Sequence, residues 1–87
     1  MLSYIRKMVF IERWFKMAVS YKKLWHMLLD RNMKKKDLKK AANLTNYAMN
    51  KLSRNEDVTT EVIGKICSAL NCTSDEIMEF YKDDVED

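Results

Sequence analysis

The chain has 87 residues, 47% hydrophobic and 33% charged, with one glycine and no proline. That is enough for one modest core, too apolar for disorder and too poor in turn residues for a strand-rich fold, so an all-helical bundle is expected. The formal charge of +3 includes four carboxylates at Asp83, Asp84, Glu86 and Asp87, so residues 1–82 carry +7, which suits nucleic acid or an anionic surface.

Residues 1–18 read as an N-terminal extension. As a helix of about four turns they would align Tyr4, Ile5, Met8, Ile11 and Phe15 in one stripe. A strand through Met8–Ile11 is the competing local reading, and Met17 is a second plausible start of translation. Three roles stay open for the segment: an accessory helix on the core or in a dimer, a poorly ordered leader, or a membrane-surface anchor.

Residues 19–82 form the expected domain. A first helix runs over about Tyr21–Arg31, with Ser20 as N-cap, Leu24, Trp25, Leu28 and Leu29 inward, and Asn32 ending it. The run Lys34–Leu52, KKKDLKKAANLTNYAMNKL, then reads as two short helices joined by a tight turn. Leu38, Ala42, Leu44, Met49 and Leu52 supply the inward positions, so the two helices can pack crosswise. Asn43 takes the turn, since asparagine tolerates positive φ better than most residues. Thr45 caps the third helix, which reaches about Ser53, and Arg54–Asp57 forms a loop. Thr59 caps a fourth helix over Thr60–Leu70, buried through Val62, Ile63, Ile66 and Leu70 or Cys67. Thr73 and Glu76 form a capping box for a fifth helix over about Ser74–Tyr81, with Ile77, Met78 and Tyr81 inward. Residues 83–87 read as a frayed acidic tail.

Several chemistries are disfavoured. Cys67 and Cys72 lack zinc spacing and read as reduced thiols, so neither a metal nor a disulfide is expected. Gly64, the single glycine, falls in a helix, so no phosphate-cradling loop is present and no cofactor is expected. His26 has no carboxylate or cysteine at ligand spacing, and an enzyme is not indicated. Trp14, Trp25, Tyr21, Phe80 and the seven methionines read as core. The apolar run Met8–Ile11 is shorter than the about 7–15 residues of a signal-peptide core. A cytoplasmic protein without membrane or small-molecule partner is the expectation.

The helix order and the string DLKKAANLTNYAMNKLSRNEDVTTEVIGKICSALNCTSDEI resemble the Cro and phage-repressor helix-turn-helix regulators, the Xre family, over about residues 20–80. The resemblance implies a five-helix lambda-repressor-like DNA-binding domain. It places Asn46, Tyr47, Asn50 and Lys51 of the third helix in the major groove. Asn46 and Asn50 would pair with adenine N6 and N7, and Lys51 with guanine O6 or N7. Tyr47 would meet a thymine methyl or a phosphate. Lys35, where the family often has glutamine, would contact phosphate, with Lys36 and Lys39 as weaker candidates. Thr45 offers a hydroxyl and a helix N-terminal amide to an anion, and Arg54 and Asn55 extend the backbone contacts. Two departures stand out: the family commonly has a small residue at Lys39 and glycine at Asn43. Lys39 would have to snorkel outward and open the turn slightly.

The function implied is a sequence-specific, double-stranded DNA-binding transcriptional regulator, paired as a homodimer through the fifth helix or the extension. The alternative is a protein-interaction module, antitoxin- or adaptor-like, on the same fold.

Overall fold

The computed structural model of the chain describes residues 15–84. Along them run β1 (Phe15–Ser20), α1 (Lys22–Asp30), α2 (Lys35–Ala41), α3 (Asn46–Ser53), α4 (Thr60–Leu70), a short 3-10 turn at Ser74–Glu76 and β2 (Glu79–Asp84). The strands pair antiparallel, with Ser20 opposite Glu79 and Phe15 opposite Asp84. The first and last described elements therefore close on each other, and the four helices occupy the chain between them.

One cluster forms the core. Leu24 and Leu28 of α1, Leu38 of α2, Ala48, Met49 and Leu52 of α3, and Ile66 and Leu70 of α4 meet there with Val19, Tyr21, Ala42, Leu44 and Ile77. α1, α3 and α4 each contribute apolar residues three or four positions apart, and the seven-residue α2 contributes Leu38 with Ala42 just past its end, so tertiary burial replaces the propensity such short helices lack. Among the described residues Tyr21 is the only aromatic with a fully buried side chain, and its phenol is satisfied by donating to Glu56 O at 2.7 Å. Burial pushes that phenol above its ordinary pKa, with the Asp57 carboxylate adding to the rise.

All four helices end the same way. Asn32, Asn43, Asn55 and Asn71 have φ of 56°, 54°, 56° and 55°. In each case the next residue donates its N–H back five positions: Met33 to Leu28 O (2.8 Å), Leu44 to Lys39 O (2.9 Å), Glu56 to Lys51 O (2.9 Å) and Cys72 to Cys67 O (3.0 Å). These are Schellman reversals in which asparagine replaces the usual glycine, and they bring the two side chains five apart against each other. At Lys51 and Glu56 the pair is ionic, 3.8 Å apart, and at Cys67 and Cys72 it is two free, half-buried thiols in contact. At the last reversal Arg31 Nη1 also donates to Leu70 O at 2.7 Å, placing a cation at the negative end of α4.

The structure corrects the all-helical, five-helix expectation. Thr73 and Glu76 make their capping interaction, with the Thr73 N–H donating to Glu76 Oε1 at 2.9 Å, but it opens only the 3-10 turn. Ile77 then drops into the core and the chain extends as β2. The aromatic pair Phe80–Tyr81 suits a strand, and β1 provides the hydrogen-bonding edge that such a strand requires. Tyr81, expected inward, is 48% exposed, and Leu29 and Phe80 are exposed as well. Ser20 ends β1 instead of capping α1; Tyr21 holds the cap position, while the Ser20 hydroxyl accepts the Lys22 N–H at 3.3 Å. Residues 15–18, expected as the end of a helix or leader, lie in β1, and Asp83 and Asp84, expected to fray, are paired in β2. The readings of residues 1–14, Trp14 included, and of residues 85–87 lie outside the described residues.

Two outcomes follow for stability. Asn43→Ala places a Cβ-bearing residue without asparagine's local hydrogen-bonding capacity in the left-handed region. It should cost about 1 kcal/mol in urea unfolding, whereas Asn43→Gly should cost nothing. Acid titration tests the 3-10 turn. Glu76 is held below the usual carboxylate range by the Thr73 amide and then its hydroxyl, and Asp75 by the Thr73 hydroxyl. A depressed acid stabilises the fold above its unfolded pKa and loses that effect as pH falls through the lowered folded value. The melting temperature should therefore fall with pH across the carboxylate range, and Thr73→Val should flatten that part of the profile.

Candidate nucleic-acid interface

The turn between α2 and α3 is closed. Asn43 N–H donates to Lys40 O at 3.3 Å and Leu44 N–H to Lys39 O at 2.9 Å, so the expected opening at Lys39 does not occur. Thr45, with extended φ and ψ of −87° and 163°, then starts α3, its Oγ1 accepting the Ala48 N–H at 3.1 Å. The hydroxyl hydrogen is left over from that cap and can be donated to an anion.

From this start α3 divides cleanly into two faces. Ala48, Met49 and Leu52 are buried, while Asn46, Tyr47 and Asn50 are exposed and Lys51 is half-buried at their margin. Tyr47 is 71% exposed, too open for a core aromatic. Lys51 is held between two neighbours: its Nζ lies 5.3 Å from the Tyr47 ring centroid and 3.8 Å from Glu56 Oε1. The ion pair is solvent-accessible and worth about 0–1 kcal/mol, so a nucleic-acid acceptor can displace it. A hollow of about 360 Å³ lies beside this face, bounded by Thr45, Tyr47, Lys51, Val58, Thr59 and Val62.

The cations are arranged around α3 by specific contacts. Lys35, at the start of α2, places its ammonium 4.2 Å from the Trp25 ring centroid and donates to Ser53 Oγ at 3.3 Å. Trp25, expected as core, is half-buried and serves as a platform for that cation. Lys36 and Arg54 are exposed, on α2 and just beyond α3. Asn55 has a structural duty: besides its left-handed backbone, its Oδ1 accepts the Tyr21 N–H at 3.1 Å, leaving only its Nδ2 for another partner. Lys39, ranked low from the sequence, donates to Asn46 Oδ1 and so joins α2 to the first residue of α3. Neither the Trp25–Lys35 nor the Lys39–Asn46 contact has a sequence signal, because each joins residues on different helices.

Among the described residues, no group of three or more His, Cys, Asp and Glu side chains is placed to hold a metal ion. No helix among them is long and apolar enough to cross a membrane.

The comparisons agree with this geometry. Residues 23–83 match the Cro/C1-type HTH DNA-binding domain. The crystal structure of the transcriptional regulator VanUg, Form II, is similar at 42% sequence identity and a TM-score of 0.75, over 77% of this chain and 89% of that one. No curated protein sequence matches. With a closed turn between α2 and α3, a capped third helix showing its amides outward, and a family match spanning that whole unit, the chain belongs to the Cro/C1-type helix-turn-helix DNA-binding domain family.

Proposed function

We propose that the protein is a sequence-specific, double-stranded DNA-binding transcriptional regulator that inserts α3 into the major groove. The observation that carries this is the exposed face of α3, where Asn46, Tyr47 and Asn50 stand clear of the core while the opposite face is buried. Amides at this position can form bidentate pairs with base edges, and the N-terminal residues of a recognition helix approach the bases most closely. Tyr47 and the hollow beside it offer an apolar wall to a thymine methyl. The similarity to VanUg, a transcriptional regulator, supports the same role.

Phosphate contacts are assigned to Lys35, Lys36, Thr45, Arg54 and Asn55. Lys35 is the firmest of these, because Trp25 and Ser53 already hold its ammonium and little side-chain freedom remains to be lost on binding. Asn55 contributes through its Nδ2 alone. One recognition helix covers a small footprint, so two copies on half-sites about one helical turn apart are proposed. Pairing through a fifth helix is replaced, since that segment is β2. The β1–β2 sheet, where Met17 and Phe80 are 60% and 61% exposed, is the surface offered instead.

Selection of bound sequences from a random duplex pool at moderate salt tests this reading. A short enriched motif, repeated in inverted orientation, is expected. Recovery of nothing beyond weak, sequence-blind binding would favour the protein-interaction module instead, whose hold on an apolar partner should respond little to salt. In the same assay Asn50→Ala should relax the base preference at one position of each half-site. Lys35→Ala should weaken binding to all sequences alike and reduce the slope of log K against log salt by about one unit.

A further inference from the structure

The contact between Lys39 and Asn46 changes what the leading amide of α3 can read. We infer that Lys39 is a specificity-determining residue: by holding Asn46 Oδ1, it turns an adenine-reading amide into a paired-donor surface that selects guanine. This rests on the proposed insertion of α3 into the major groove.

A free asparagine amide carries an acceptor and a donor side by side, which matches adenine, whose major-groove edge offers the N7 acceptor and the N6 amino donor. Lysine carries donors only, so its bond to Asn46 fixes the amide orientation: Oδ1 faces the ammonium and Nδ2 is left to point elsewhere. An adenine amino group approaching that oxygen would meet a second donor carrying a full positive charge. Guanine presents O6 and N7, two acceptors, and the pair Lys39 Nζ–H and Asn46 Nδ2–H presents two donors.

The fold holds this arrangement in place. The reversal at Asn43 bonds Lys39 O to Leu44 N–H at 2.9 Å, so the Lys39 backbone lies beside the start of α3. Lys39 is half-buried, and its ammonium reaches the exposed amide of Asn46. Asn46 is the first residue of α3, the end of the helix that enters the groove most deeply in this docking mode. Lys35, by contrast, is bound to Trp25 and Ser53 and serves the opposite end of α3.

The test is the random-duplex selection run on the wild-type chain, Lys39→Ala, Lys39→Met and Asn46→Ala, with thermal melting as a check on folding. Lys39→Met keeps the aliphatic stem and so guards against a packing effect. The wild type should prefer guanine over adenine at one position of the half-site by on the order of tenfold. Lys39→Ala and Lys39→Met should both shift that position to adenine and leave the other positions unchanged. Asn46→Ala should lose the preference at the same position. A wild-type motif that survives Lys39→Ala and Lys39→Met without change at any position overturns the inference while leaving the DNA-binding reading intact. A uniform loss of affinity with a reduced salt slope in both Lys39 variants also overturns it, since that marks a phosphate contact. Failure of the wild type to enrich any sequence overturns this inference and the proposed function together.

Discussion

The reversals led by asparagine set the geometry on which everything else rests. A chain with one glycine and no proline must turn four helices around without the usual residues, and it does so with Asn32, Asn43, Asn55 and Asn71 in the left-handed region. Asparagine reaches that region at modest cost because its short polar side chain can bond locally. Asn55 shows how far one such residue extends. Its backbone ends α3, and its side chain accepts the Tyr21 N–H where β1 passes into α1. With Tyr21 also bonded to Glu56 O, the loop after α3 is tied to the buried end of the sheet. α3 is thereby fixed at both ends, by the Thr45 cap at one and the Asn55–Tyr21 connection at the other.

That fixity matters because α3 itself has little to hold it. Eight residues make about two turns, too short for independent helical stability, and Asn46, Tyr47 and Asn50 on its outer face are exposed. Ala48, Met49 and Leu52 supply the anchoring face. The exposed polar face is arranged by its neighbours: Lys39 on Asn46, Glu56 on Lys51, and Trp25 behind Lys35. A binding surface whose side chains are already positioned loses less conformational entropy on association.

The sheet closes the domain in a way that local reasoning did not reach. Phe15 and Asp84 are 69 positions apart in sequence and opposite each other in register. Each strand is only six residues long, and a segment of that length satisfies a helical or a strand pattern almost equally well. The capping box at Thr73 and Glu76 is genuine, yet such a box signals the start of a turn and does not fix how many turns follow. Strand pairing, supplied by β1, ended it after one.

The sequence by itself determined what depends on neighbours in the chain. The caps at Thr45 and Thr59, the left-handed turn at Asn43, the extents of α2, α3 and α4 to within a residue or so, and the inward set Leu38, Ala42, Leu44, Met49 and Leu52 are all short-range matters of backbone sterics, side-chain capping and helical period. The family and the outward position of Asn46, Tyr47 and Asn50 were legible for the same reason. Tertiary structure alone decided what depends on residues meeting from afar. It made strands of residues 15–20 and 79–84, left Leu29 and Tyr81 exposed, set Trp25 beneath Lys35 and gave the oxygen of Asn46 to Lys39. Periodicity reports which face of an element is apolar; it carries no term for which partner lies across that face. Those pairings exist only once the core has brought the elements together.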